Sequence, residues 1–195
     1  MSKGWKINKH IEIRNIARTN LSVTRLGLGT APLGGLYTDV EESAALEVVE
    51  VALAKGIKYF DTAPVYGDAE ILLGKYLEKK VTNQIDSKIS IVDCSSFKKI
   101  QTSIQLSLDR MEVDHLDVLY LHEEEALFQT SNTDLISDLQ KLRELGYFKK
   151  IGISVYSVEQ LEKIIAFFPQ IEVIQVPENI CDRRLRKSKL VEELA

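Results

Sequence analysis

The chain has 195 residues, 45% of them apolar and 28% charged, with a formal charge of −4. That length and apolar content suit one buried core, and the interspersed charges offer no basic face of the kind a nucleic-acid binder needs. Two cysteines, Cys94 and Cys181, make neither a disulfide framework nor a metal cluster. The opening MSKGWKINKHIEIRN has no signal-peptide core, and no stretch approaches the roughly 18 apolar residues of a membrane span. The expectation is a cytoplasmic protein of one domain, 1–195, without nucleic-acid, membrane or metal partners.

In chain order, two short extended runs, IEIRNI and LSVTRL, flank the polar turn ARTN and predict a β-hairpin. From residue 25 an apolar strand, a loop and an amphipathic helix then alternate with a period of about 25 to 30 residues. Such alternation implies parallel strands joined by crossover helices. The predicted strands are 25–30, 57–62, 84–89, 116–122, 149–154 and 172–177. The predicted helices are 41–55, 69–79, 97–110, 133–145 and 157–168, with a last one starting near 185. In the first of them Leu46, Val49 and Leu53 share a face, Gly56 supplies a stop, and Asp39, Glu41 and Glu42 suit the positive end of the helix dipole.

Polar residues recur where the strands end. Asp61 closes the second strand, Lys88 comes near the end of the third, His122 closes the fourth, Ser154 closes the fifth, and Gln175 with Asn179 stands at the sixth. In a parallel barrel these ends emerge on one face, where the loops build the active site. Each residue alone has a plainer explanation: Asp61 as a turn cap, Lys88 as a solvated lysine, His122 as a surface histidine beside three glutamates, Tyr66 as an exposed loop aromatic. Their succession at strand ends favours chemistry.

The stretches RLGLGTAPLGG, YFDTAPVYGDAEILLGKYL, LDVLYLH, IGISVYS and IQVPENICDRRL together resemble the aldo-keto reductase family. The resemblance runs from about residue 11 to the end. It implies an α/β fold, the (β/α)8 TIM barrel with a hairpin at its base, here with about six of eight βα units. It also implies an oxidoreductase that interconverts a carbonyl (aldehyde, ketone or aldose) and an alcohol, with NADP(H) as the expected cofactor, NAD(H) as the alternative, and no metal. Tyr66 would be the proton donor, Asp61 and Lys88 its charged partners, and His122 the group that orients the carbonyl. A lysine cation would favour the phenolate and draw the phenol's pKa down, while Asp61 would keep that lysine charged. Ser154 and Gln175 would bond the nicotinamide carboxamide, with Asn179 on the same rim. Val155 stands where an asparagine often follows that serine.

Strands seven and eight, which in this family ordinarily meet the cofactor's pyrophosphate and adenosine phosphate, have no counterpart in the sequence. The basic run DRRLRKSK is better explained as a solvated helix start than as a substitute phosphate site. Two open sheet edges would remain, which makes a homo-oligomer one way to cover them. A non-catalytic binding module and an inactive truncated fragment therefore stand beside the enzyme as alternatives.

Overall fold

The structure, a computed structural model, describes residues 11–77, 83–129, 134–188 and 190. Its first element is an antiparallel hairpin of β1 (Ile13–Ile16) and β2 (Leu21–Thr24), paired from Ile13 with Thr24 to Ile16 with Leu21. Arg18 and Asn20 adopt positive φ in its turn, and Thr19 bonds the carbonyl of Ile16.

Six parallel strands follow in sequential order: β3 (Leu28–Gly29), β4 (Tyr59–Asp61), β5 (Gln84–Ile89), β6 (Leu116–Leu121), β7 (Phe148–Ser154) and β8 (Val173–Gln175). Between them run α1 (Glu42–Ala54), α2 (Ala69–Tyr76), α3 (Phe97–Met111), α4 (Glu125–Gln129), α5 (Leu135–Glu144) and α6 (Val158–Phe167), with α7 (Arg184–Lys187) after β8. All six expected strands and six expected helices are present, and α4 was not anticipated. The outer ends of the expected helices at 78–79 and at 133 lie outside the described residues, as do Lys79 and Lys80.

Several strands are shorter than expected because neighbouring groups take their ends. At β3, Arg25 bonds back to the carbonyl of Glu12, and Thr24 Oγ1 accepts from Lys58, so this stretch serves the hairpin rather than the sheet. At β4, the Ile57 amide returns to the Ala52 carbonyl at the end of α1. Helix ends carry recognisable stops and starts: Gly56 and Gly146 take positive φ after α1 and α5, and Ser157 forms a reciprocal capping box with Gln160. Helix α1 buries Ala45, Val49 and Ala52, with Leu46 and Leu53 at the margin, so its apolar stripe is rotated from the expected one.

The sheet is strongly curled. Gln175 on β8 donates to Asp61 Oδ1 on β4 at 3.1 Å, although four strand steps separate them. In a flat sheet four spacings of about 4.8 Å would hold those strands about 19 Å apart. The six strands therefore form most of a barrel wall, an incomplete (β/α)8 barrel. Helices pack on its outside over one large apolar core that includes Phe60, Leu73, Ile89, Ile104, Leu119, Phe148 and Ile153. Inside the wall, Leu21 of the hairpin meets Val118, Tyr120 and Val173, which closes the base. Helices α2 and α3 touch through Gly74, where a side chain would lie 2.2 Å from the Arg110 carbonyl oxygen.

Because the obstacle at Gly74 is backbone, Gly74→Ala should push α2 off α3 and destabilise the fold by about 1–3 kcal/mol. Urea denaturation of the two proteins measures this, and an unchanged midpoint would show that the helices separate freely.

Candidate active site

Strand periodicity decides which side chains enter the barrel. Residues 84, 86 and 88 of β5 face inward, whereas Ile85 and Ile89 join the outer core. The register sets Lys88 beside Tyr120, Tyr120 beside Gly152, and Gly152 beside Val173, one layer across four strands. A second layer toward the strand starts runs Asp61, Asp86, Val118 and Lys150.

Lys88 is 2% exposed, and its ammonium donates to Asp61 Oδ1 at 2.6 Å and to the Thr62 carbonyl at 3.1 Å. Its Nζ also lies 5.1 Å from the Tyr66 ring centroid and 5.9 Å from that of Tyr120. The Tyr66 and His122 rings meet edge to face with centroids 6.0 Å apart. Asp61, Tyr66, Lys88 and His122 thus converge at the carboxyl ends of β4, β5 and β6. Gln175 donates to Asp61 Oδ1 and accepts from Ser154 Oγ at 3.3 Å, so the two residues expected to hold a carboxamide are bonded to each other and, through Gln175, to that carboxylate. Asn179 is exposed, and its Oδ1 accepts from the amides of Cys181 and Asp182 within its own turn rather than from this cluster. Val155 is buried, and its amide bonds the Gln175 carbonyl, which ties β7 to β8 at the mouth.

The electrostatics depart from expectation at Tyr66. Burial first, then the charge of Asp61, pushes its phenol up to about 12 instead of down. The Lys88 ammonium, expected to draw that pKa down, is itself paired with Asp61 at 2.6 Å. Burial lowers the His122 pKa from its usual value, which keeps the ring neutral at neutral pH.

Three supports were not among the residues expected from the sequence. The first is a backbone clamp: the Asp68 amide bonds the Gly34 carbonyl, and a side chain on Gly34 would lie 1.6 Å from the Tyr66 carbonyl oxygen. The second is Glu123, whose Oε2 accepts from the Ile91 amide and pins the loop after β5. The third is Asp86, fully buried, which accepts from the Val118 amide at 3.1 Å, from Gln84, and from the Tyr120 hydroxyl at 3.5 Å. An inward aspartate in the middle of a strand was the visible signal for that group. Burial pushes Asp86 up to about 8, and the nearby Asp117 and Asp61 charges add to the rise.

Residues 25–195 match the aldo/keto reductase family. The chain belongs to that family. The aldo-keto reductase YhdN of Bacillus subtilis is 28% identical over 193 residues, covering 92% of this chain and 57% of its own length. The L-galactose dehydrogenase of Arabidopsis thaliana is 33% identical over 155 residues, covering 74% and 48% respectively. A thermostable aldo-keto reductase solved with the inhibitor epalrestat superposes with a TM-score of 0.77 at 25% identity, over 94% of this chain and 68% of that one. The chain spans about half the length of the curated relatives it matches. Among the described residues no group of three or more His, Cys, Asp or Glu side chains could hold a metal ion, and no helix is long and apolar enough to cross a membrane.

Two outcomes follow from the charges of this aldo-keto reductase barrel. Lys88→Met should destabilise the fold by about 3–5 kcal/mol, because it leaves Asp61 without its cation. Adding Asp61→Asn should recover much of that loss in a double-mutant cycle, and strict additivity of the two would refute the pairing energy. For Asp86 the folded pKa lies above the unfolded value of about 3.9. The native state therefore holds the extra proton between about pH 4 and 8, and stability falls as pH rises through that window. Asp86→Asn should flatten this slope in denaturation series at pH 5 and pH 8; a slope equal to that of the parent would assign it to other groups.

Proposed function

We propose that this chain carries the acid–base and nicotinamide-facing part of an NAD(P)(H)-dependent oxidoreductase, which interconverts an aldehyde, ketone or aldose with its alcohol. The supporting observation is the buried Lys88 ammonium, held 2.6 Å from Asp61 Oδ1 and 5.1 Å from the Tyr66 ring at the strand mouth. A buried cation beside a phenol and a neutral imidazole is what reduction of a carbonyl needs, since negative charge develops on the substrate oxygen.

In this reading Tyr66 is the proton donor. Its hydroxyl, protonated throughout the neutral range, gives its proton to the carbonyl oxygen as that oxygen becomes alkoxide-like and more basic than a phenolate. Lys88 then faces the phenolate that remains, and Asp61 keeps Lys88 in place. His122, neutral and edge-on to the Tyr66 ring, presents a ring nitrogen that orients the carbonyl. Ser154 and Gln175 already hydrogen-bond as hydroxyl to amide, the donor and acceptor types a nicotinamide carboxamide requires, so they are the residues that would hold it. When bound, that ring supplies the hydride. NADP(H) is the expected form, with NAD(H) the alternative. Asn179 keeps only a place on the rim, because its carboxamide oxygen is used in its own turn. Small carbonyls and sugars are the substrate class, in keeping with a relative named for L-galactose.

A second reading has its own support. The outer edges of β3 and β8 each have one neighbouring strand among the described residues, so the wall is built to receive more strands. Further βα units, or a second copy of the chain, would then be needed for turnover, and the chain alone would act as a binding module or an inactive fragment.

Titration with NADPH, followed by nicotinamide fluorescence, separates these readings. Saturable binding is expected, at least about tenfold weaker than in a barrel-complete version that contains the phosphate-facing units. Failure of the completed version to bind would overturn the cofactor assignment. In that version Tyr66→Phe should lower turnover by about 10²–10⁴-fold with NADPH affinity unchanged; lost affinity would make Tyr66 structural.

A further inference from the structure

We propose that Tyr120 is a positioning residue for Lys88: its ring is the floor on which the ammonium rests, so that the lysine's protons can be directed only toward Asp61 and Thr62. For its place in carbonyl reduction this rests on the reading given above.

Three observations carry it. Tyr120 and Lys88 are register partners on adjacent strands and both face into the barrel, with the Lys88 ammonium 5.9 Å from the ring centroid. That is inside the range of about 6 Å over which an aromatic face attracts a cation. The ring is itself fixed on its far side. Gly152, the next residue in the same layer, has no side chain, and one there would lie 2.6 Å from Tyr120 Cδ1. The ring therefore occupies the space that any larger residue on β7 would fill. Finally, the hydroxyl is anchored away from the lysine. It reaches Asp86 Oδ2 at 3.5 Å, while Asp86 is held in turn by the Val118 amide and the Gln84 side chain.

The physical consequence is directional. An ammonium has three donors and no acceptor, and in a dry interior each donor needs a partner or a π face. Asp61 Oδ1 and the Thr62 carbonyl take two of them. Tyr66 and Tyr120 bracket the charge, with centroids 5.1 and 5.9 Å from Nζ. Without the lower ring, water would compete with Asp61 for the ammonium. Because burial keeps Asp86 largely protonated at neutral pH, it anchors the Tyr120 hydroxyl without acting as a rival counter-ion.

The test needs no turnover. In the 195-residue chain, two-dimensional 1H–15N spectra of lysine side chains should show a protected Nζ signal that disappears in Lys88→Met. Nuclear Overhauser contacts should join its Hε protons to the Tyr120 ring. Tyr120→Phe keeps the ring and should retain the signal, whereas Tyr120→Leu should speed its hydrogen exchange by tenfold or more. Gly152→Ala, which displaces the ring without deleting it, should do the same and stands in if Tyr120→Leu fails to fold. Absence of a protected Lys88 signal in the parent chain, an unchanged signal in Tyr120→Leu or Gly152→Ala, or equal loss in Tyr120→Phe would each overturn the proposal. A chain with ring-dependent Lys88 protection, but no NADPH binding even when barrel-complete, would sink the functional reading and leave the lysine floor standing.

Discussion

A lysine buried to 2% exposure is the constraint around which this incomplete barrel is arranged. Taking an ammonium out of water costs several kcal/mol, and only a close carboxylate with further hydrogen bonds offsets that cost. Asp61 and the Thr62 carbonyl supply both, and they come from the end of β4, the strand beside the lysine's own. The charge at that strand end is therefore not a surface accident. It dictates that β4 and β5 be parallel and adjacent, and that the loop after Asp61 turn back over the barrel. That loop carries Tyr66, and the close approach of Gly34 and Gly67 backbone holds it there.

The fold was legible because its grammar is local. Apolar runs of about six residues, separated by amphipathic helices with capping residues and stop glycines, admit few arrangements besides a parallel sheet with outer helices. Strand ends were less legible. The ladder at β3 shrinks to Leu28–Gly29 because Thr24 and Arg25 bond the hairpin and the Lys58 amide instead, a tertiary competition invisible to periodicity. Helix α4 was missed because five residues give no period to detect.

Within the site, residue types were easier to find than electrostatics. Asp61, Lys88 and His122 stood out as polar groups ending apolar strands, and distance confirms only that they meet. The pKa of Tyr66 went the other way from expectation because burial, and then the charge of Asp61, disfavours the phenolate. Sequence shows which charges exist, but how deeply a phenol is buried beside them is set by the fold. Tyr120 illustrates the same limit. Within VLYLH it looks like one more apolar strand residue, and only the register with Lys88 and Gly152 gives its ring a partner above and a space beside it.

Asp61 Oδ1 accepts from both Lys88 and Gln175, and this sharing has a consequence for how the two ends of the site communicate. Gln175 is also bonded to Ser154, so any ligand that draws the Gln175 amide toward itself withdraws one donor from the carboxylate. The carboxylate would then lean more fully on Lys88, its other donor. In the proposed reading such coupling would be reciprocal: whatever tightens the Asp61–Lys88 pair would alter the affinity for a carboxamide at Ser154 and Gln175 by the same factor. The connection exists only because the sheet curls far enough to bring β8 across the barrel to β4. Curvature, set by six strands and the hairpin beneath them, is thus the structural condition for linking the proposed hydride side of the site to its proton side.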